Sequence, residues 1–211
     1  MFQYSNQRLI INCQVKKMVW AAKQMVPFLF GTATFPVFIF LHECGHYLTG
    51  ICFGLRMKFH YAEVGFTGAK EKFTPQVDAL VASAGPLVGA VFMLVGFLWL
   101  RRLRRHRIEA VPTARDWLAT SLAMNVGRWL RGFTGSPSQP QPNDEAFVSH
   151  AIGLPKWFLP YLLGMFAVVA LALIIRLHPP RERLFPFSWM LLGGVAGTLL
   201  WMRFVGPFLF P

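Results

Sequence analysis

His42, Glu43 and His46 form the sequence His-Glu-x-x-His, whose residue types and spacing suit a metal-dependent hydrolase. On an α-helix, side chains four residues apart lie on one face, so both imidazoles can reach one ion. Glu43 lies three residues before His46, where its carboxylate can act on a metal-bound water. The spacing therefore predicts a zinc site with Glu43 as the general base.

These residues lie within an apolar run, Pro27 to Phe53, that is long enough to cross a bilayer. Ionisable side chains at membrane depth are costly unless they pair or bind something, so they indicate a functional site. The alternative is a polar cluster that only joins helices. The cost of burial favours the metal site over this alternative.

The composition indicates an all-α polytopic membrane protein. Hydrophobic residues make up 55% of the 211 residues and charged residues only 14%, and the mean hydropathy is +0.44. Soluble domains of this length are less apolar. The net charge is +12, and the basic residues that produce it lie between the apolar runs, as in other membrane proteins. No nucleic-acid-binding pattern accompanies these basic residues. We therefore expect the lipid bilayer as a partner, and no nucleic acid.

The apolar runs predict about five transmembrane helices. They are Pro27–Phe53, Leu80–Leu100, Trp117–Leu130, Trp157–Leu177 and Phe185–Phe204. The third run is short for a span and Arg128 interrupts its end, so a broken or re-entrant segment is an alternative there. Between the first two runs, the alternating residues Lys58 to Val64 predict a short strand or hairpin.

Basic residues predict the orientation of the chain. Five arginines lie between Arg101 and Arg107, and such clusters stay in the cytoplasm. If all five runs cross, residues 1–26 and Arg176 to Arg183 are cytoplasmic as well. Residues 1–26 are basic and can form an amphipathic helix on the membrane surface. If the third run does not cross, everything after it is reversed.

Small residues predict where helices come close together. Gly85 and Gly89 lie in the first half of the second run, and Gly193 and Gly197 form a G-x-x-x-G pattern in the last run. Small side chains let the backbones of neighbouring membrane helices approach closely. We expect neighbouring helices to pack closely against each other at these glycines.

The two histidines leave a zinc site incomplete, because hydrolytic zinc usually takes three protein ligands and keeps one position for water. Asp144, Glu145 and His150 follow the third run. Carboxylate oxygen and imidazole nitrogen both suit zinc. By residue type alone, Asp144, Glu145 and His150 are all candidates for the third ligand. Asn143 and Asp144 could instead only cap a following helix.

The segment Ile39 to His46, with Gly45 directly before the second histidine, resembles the site-2 protease family of intramembrane zinc metalloproteases. In that family a membrane-associated hairpin follows the His-Glu-x-x-His helix, and the next helix carries a Gly-Pro element, which Gly85-Pro86 resembles. The resemblance covers residues from Pro27 to Glu145.

The third core helix of that family has an asparagine, then a Pro-containing unwound stretch, then the aspartate that is the third zinc ligand. Asn125, Ser136–Asn143 and Asp144 resemble these features in order. Asn125 could then hydrogen-bond a substrate carbonyl or the oxyanion, or it could only bridge two helices. Asp144 is followed by Glu145 where the family has glycine, so a noncatalytic pseudoprotease or membrane-binding protein is the alternative function.

The resemblance implies hydrolysis of peptide bonds in a membrane-spanning protein substrate. Zn²⁺ would be held by His42, His46 and Asp144, and Glu43 would assist attack of the zinc-bound water. A metal transporter is a third hypothesis, although a transport path needs ligands in succession along several helices.

The resemblance also implies how the chain is divided. Residues 1–26 form the basic N-terminal segment, residues 27–156 the protease-like core with three helices, and residues 157–211 two additional transmembrane helices. The expected location is a bacterial inner membrane, which the chain crosses several times. The sequence predicts no oligomeric state.

Overall fold

The computed structural model describes residues 2–61, 63–67, 74–107, 110–133, 143–180 and 183–210, and residues 2–24 by their helical backbone alone. Most of the Pro-rich stretch Ser136–Asn143 lies outside the described residues, as do the side chains that would make residues 1–26 amphipathic. The described chain is mainly helical. The helices are α1 (Phe2–Cys52), α2 (Pro75–Arg104), α3 (Ala114–Ala123), α4 (Asp144–Ala151), α5 (Phe158–Arg176), α6 (Leu184–Leu200) and α7 (Gly206–Leu209).

Four helical stretches within the described residues are long and apolar enough to cross a membrane. They are Met25–Cys52, Pro75–Arg104, Phe158–Arg176 and Leu184–Leu209. A largely helical fold with several helices able to cross a membrane is therefore confirmed. The prediction of about five such helices needs correction, because Trp117–Leu130 is not among these four stretches.

The Trp117–Leu130 run is divided between two kinds of helix. α3 ends at Ala123, and a 3₁₀-helix continues from Met124 to Phe133. Asn125 and Gly127 are weak helix formers, which favours a change of geometry at this point. The alternative of a broken segment is the one that the structure confirms. Together the two pieces extend about 35 Å, since α and 3₁₀ helices rise about 1.5 and 2.0 Å per residue.

A two-stranded hairpin follows α1, as the alternating residues predicted. Strand β1 (Met57–Phe59) pairs antiparallel with β2 (Val64–Phe66), and Lys58 lies opposite Gly65. The His60 N–H donates to the Glu63 carbonyl across the turn at 2.9 Å. The hairpin thereby holds Glu63 at the rim of the cavity described below.

α6 packs along α1, and glycines form the contact. A Cβ at Gly193 or Gly197 would collide with the carbonyl oxygens of Phe28 and Thr32 respectively. Pro36 has no N–H to donate to the Thr32 carbonyl four residues earlier, and Gly197 approaches this same carbonyl. The prediction that the G-x-x-x-G pattern records helix packing is confirmed.

Two sets of contacts define opposite ends of the helices. At one end, Arg104 of α2 forms a buried ion pair with Asp116 of α3 at 3.3 Å, and Thr120 lies 2.9 Å from His178 after α5. The basic segments that follow α2 and α5 therefore lie at the same end. At the other end, the indole N–H of Trp201 donates to the carbonyl of Tyr61 in the hairpin loop at 2.8 Å.

Candidate metal centre

α1 brings the two histidines of the His-Glu-x-x-His sequence onto one buried face. The Nε2 atoms of His42 and His46 lie 3.1 Å apart, and both residues are buried. His42 is 17 residues after Met25 and 10 before Cys52 in the first membrane-spanning stretch. His42 is therefore about 15 Å along the helix from its C-terminal end and His46 about 9 Å, so both lie inside the apolar stretch.

Helix α2 sets the tautomer of His46 and makes room for both rings. His46 Nδ1 lies 2.7 Å from the carbonyl oxygen of Val81. A carbonyl can only accept, so Nδ1 carries the proton and Nε2 keeps its lone pair for a metal. A Cβ at Gly85 would lie 2.7 Å from His42 Nε2 and would also collide with His46 Nε2. Glycine at position 85 therefore leaves the space that the imidazoles occupy.

Helix α4 supplies the carboxylate that completes the cluster. Its N-cap is Asn143, whose side chain accepts a hydrogen bond from the Ala146 N–H at 2.7 Å. The next residue, Asp144, places Oδ2 3.0 Å from His42 Nε2 and 3.4 Å from His46 Nε2. The two neighbours therefore have different roles: Asn143 caps the helix, and Asp144 faces the histidines.

The charge of Asp144 is favoured by its neighbours. Burial alone would raise the pKa of this carboxyl, but the adjacent His42 and His46 side chains outweigh burial and hold the pKa well below its usual range. The carboxylate is therefore ionised at neutral pH, as a metal ligand must be.

The spacing of these three groups fits a tetrahedral metal ion. The ligand atoms of His42, His46 and Asp144 are 3.0 to 3.4 Å apart. Bonds of about 2.0–2.1 Å at tetrahedral angles put neighbouring ligand atoms about 3.3 Å apart. Two imidazole nitrogens and one carboxylate oxygen are also the donors of catalytic zinc sites with an open fourth position. The geometry and the donor set both suit Zn²⁺, although they do not identify the ion.

Glu43 lies beside this cluster and lines the same cavity, whose volume is about 550 Å³. This volume falls in the range of small-molecule and cofactor sites, about 300–1,000 Å³. Glu43 is buried on α1 next to His42, which is the position that a general base would need. Acidic residues predominate among the charged side chains that line the cavity: Glu43, Glu63, Asp78, Asp144 and Glu145, with Arg128 and Arg131 as the basic ones.

The other predicted site residues have different surroundings. Asn125 donates from its amide to the Gly89 carbonyl at 3.4 Å, which is the interhelical bridge proposed as one of its two roles. It is not among the described residues that line the cavity, and a direct catalytic role for it stays a prediction. Glu145 lines the cavity but, within the described chain, is not part of the ligand cluster. His150 is exposed and lies outside the cluster as well.

Several contributors to the site were not assigned from the sequence. The Val81 carbonyl carries no sequence signal at all, because any residue could supply it. Gly85 was predicted as a small residue for helix packing and as part of the Gly-Pro element, but not as the space that the two imidazoles occupy. Arg128 was noticed as a charge in an apolar run without a known partner, and an ionisable residue in such a run is a signal of function.

No protein-family model, curated protein or solved structure matches this chain.

Proposed function

We propose that the protein is an intramembrane zinc metalloprotease that hydrolyses peptide bonds of membrane-spanning protein substrates. The observation that carries the proposal is the convergence of His42, His46 and Asp144 beside Glu43. This cluster lies on a helix long and apolar enough to span a membrane. The proposed location is a bacterial inner membrane.

In the proposed reaction, His42, His46 and Asp144 hold the metal. When bound, zinc polarises a carbonyl group and makes a nearby water more acidic. Val81 keeps the proton of His46 on Nδ1 through its carbonyl, so the ring remains a ligand through Nε2.

Glu43 moves the proton. It accepts a proton from the attacking water as the water oxygen bonds to the scissile carbonyl carbon. It then gives the same proton to the amide nitrogen as the C–N bond breaks. One water is consumed, and the products are a carboxyl group and an amine.

The substrate class follows from the depth of the site. A cavity that opens beside a membrane-spanning stretch of α1 is reached most directly by another segment within the bilayer. The carbonyls of a helical segment are already hydrogen-bonded within the helix, so the substrate must unwind locally before cleavage.

The test compares purified parent protein with Glu43→Gln, His46→Ala and Asp144→Ala variants in proteoliposomes. Bound zinc is measured by mass spectrometry, and cleavage is measured with a panel of tagged single-span proteins. Glu43→Gln should keep its zinc and lose cleavage by about 10²–10⁴-fold, since it removes only the base. The two ligand variants should lose both.

His150→Ala is the matched control, because His150 is exposed on the same helix as Asp144. This variant should keep both zinc and cleavage. Loss of zinc in His150→Ala but not in Asp144→Ala would identify His150 as the third ligand in place of Asp144. Metal-dependent cleavage that persists in both Glu43→Gln and His46→Ala would refute the mechanism. Stoichiometric zinc without any turnover of the parent would favour a pseudoprotease.

A further inference from the structure

The 3₁₀-helix arranges its polar residues in one row. A 3₁₀-helix has three residues per turn, so side chains three apart are eclipsed. Asn125, Arg128 and Arg131 occupy such positions in Met124–Phe133. Asn125 is held against α2 through the Gly89 carbonyl, and the row then continues along the cavity with Arg128 and Arg131.

Arg128 has a donor that no described residue satisfies. Its Nη1 atom is buried and has no hydrogen-bond partner within the described chain. Burial lowers the pKa of Arg128, while the charges of Glu43, Asp144 and Glu145 favour the protonated form. A guanidinium remains charged at any physiological pH. A buried, charged donor without a partner is costly, so it indicates a group that arrives from outside.

The charges around Arg128 restrict what that group can be. Glu43, Asp144 and Glu145 are close enough to influence the charge of Arg128. A ground-state anion that does not bind the metal would be repelled by these carboxylates. A neutral carbonyl oxygen is not repelled, and it gains negative charge only as the reaction proceeds. Such an oxygen is the group that a preorganised cationic donor stabilises best.

We propose that Arg128 donates a hydrogen bond from Nη1 to the scissile carbonyl oxygen of the substrate, and that this bond strengthens in the transition state. The proposal rests on the proposed peptidase function. Arg128 transfers no proton. As the water oxygen bonds to the carbonyl carbon, the carbonyl π electrons move onto the oxygen that Arg128 faces, and they return when the C–N bond breaks. The proton of the water travels through Glu43 to the leaving nitrogen.

Two metal-directed probes test this role without a known substrate. The first is a phosphinic pseudopeptide in which a phosphinate replaces the peptide bond between two leucines, so that its tetrahedral anion imitates the transition state. The second is acetohydroxamate, which binds the metal but has no such tetrahedral group. Dissociation constants are measured by calorimetry on zinc-loaded protein in detergent for the parent, Arg128→Gln, Arg128→Lys and Arg115→Gln.

Arg128→Gln should weaken binding of the phosphinate about 10²-fold, as loss of one oxyanion donor does, and should change acetohydroxamate binding less than threefold. Arg128→Lys keeps the charge without the planar fork of donors and should recover part of the phosphinate affinity. Arg115→Gln removes an equal charge at an exposed position, and both probes should bind it as they bind the parent.

The contrary outcomes are distinct. An equal loss for both probes in Arg128→Gln would show that Arg128 only maintains the metal site. Unchanged phosphinate binding would show that Arg128 does not contact the carbonyl oxygen. Either result overturns this proposal and leaves the proposed function standing, because acetohydroxamate binding by the parent reports on the metal site itself. A zinc-loaded parent that binds neither probe would overturn both proposals.

Discussion

Gly85 is the residue of α2 that allows two imidazoles to converge with a carboxylate. Its missing Cβ leaves the space beside His42 and His46, and Val81 one turn earlier orients the His46 ring. The candidate metal ligands come from α1 and α4, but their arrangement depends on α2. The residues that tune a metal site commonly lie behind the ligands in this way.

Gly85→Ala should reduce zinc binding. The added Cβ would come 2.7 Å from His42 Nε2, so at least one ring must move out of ligand position. We expect a loss of about 10–100-fold in zinc affinity, similar to that of other changes behind metal ligands. Competition with a fluorescent chelator measures it.

Gly89→Ala is the matched control one helical turn later. A Cβ there would lie 3.6 Å from the Asn125 amide nitrogen, an ordinary contact distance. Equal zinc affinities for Gly85→Ala and Gly89→Ala would contradict the role given to Gly85.

His178 is a third buried histidine and lies at the end of the bundle that holds the Arg104–Asp116 ion pair. It stacks on Trp117 with ring centroids 5.0 Å apart, and its Nε2 lies 2.9 Å from Thr120 Oγ1. The Thr120 hydroxyl also lies 2.7 Å from the Asp116 carbonyl oxygen, which takes its single proton. The Nε2–H of neutral His178 therefore donates to Thr120.

Protonation of His178 should destabilise the fold in acid. Burial, followed by the charge of Arg104, lowers its pKa from 6.5 to about 4. Between these values the unfolded chain binds more protons, so the free energy of unfolding falls as pH drops from 6.5 towards 4 and is level above 6.5. Unfolding in mixed detergent micelles at several pH values measures this. The free energy of unfolding should change less with pH in His178→Phe than in the parent. An equal pH dependence in the two proteins would refute a contribution from His178.

At the scale of elements, the change from α3 to the 3₁₀-helix is the feature that relates the sequence to the site. An α-helix would turn Arg128 about 60° away from the row of Asn125, whereas three residues per turn keep the row aligned. The same element joins the Arg104–Asp116 end of the bundle to the cavity. The apolar run Trp117–Leu130 is therefore not one regular α-helix, because its helical geometry changes at Met124.

Gly193→Ala should destabilise the contact between α1 and α6. The new methyl group would collide with the Phe28 carbonyl oxygen, so the helices must separate. We expect the free energy of unfolding to fall by about 1–3 kcal/mol, as in other overpacked interfaces. Val195→Ala is the control, because Val195 is 58% exposed. Equal stability of the two variants would contradict the close packing.

At the scale of the whole molecule, the basic segments after α2 and α5 lie at one end and the hairpin lies at the other. The ion pair of Arg104 with Asp116 and the contact of His178 with Thr120 join three helices at the first end. The positive-inside rule assigns that end to the cytoplasm.

Single cysteines at Arg107 and Arg176 should therefore react with an impermeant maleimide from the same side of the membrane, and a cysteine at Lys58 from the opposite side. All three positions are exposed. The experiment uses a protein without its own cysteines, in sealed vesicles of both orientations. Labelling of Arg107→Cys and Arg176→Cys from opposite sides would refute this arrangement.

The local features of this protein can be predicted from its amino-acid sequence. Helical periodicity predicts that His42 and His46 share one face of a helix. Alternation over Lys58–Val64 predicts the hairpin, and the thickness of a bilayer identifies which apolar runs are long enough to cross it. Each of these depends only on residues close together in the chain. The same reasoning counted Trp117–Leu130 as one of about five membrane helices, because the apolar character of a run does not show where a helix changes its geometry.

The meeting of groups that are distant in the chain depends on how the helices pack. Asp144 lies 102 residues after His42, and Glu145 and His150 suited a metal equally well by residue type. The N-terminus of α4 turns Asp144 towards the histidines and leaves His150 exposed. Likewise, the space at Gly85 and the position of Arg128 depend on the packing of separate helices, and no local pattern encodes such contacts.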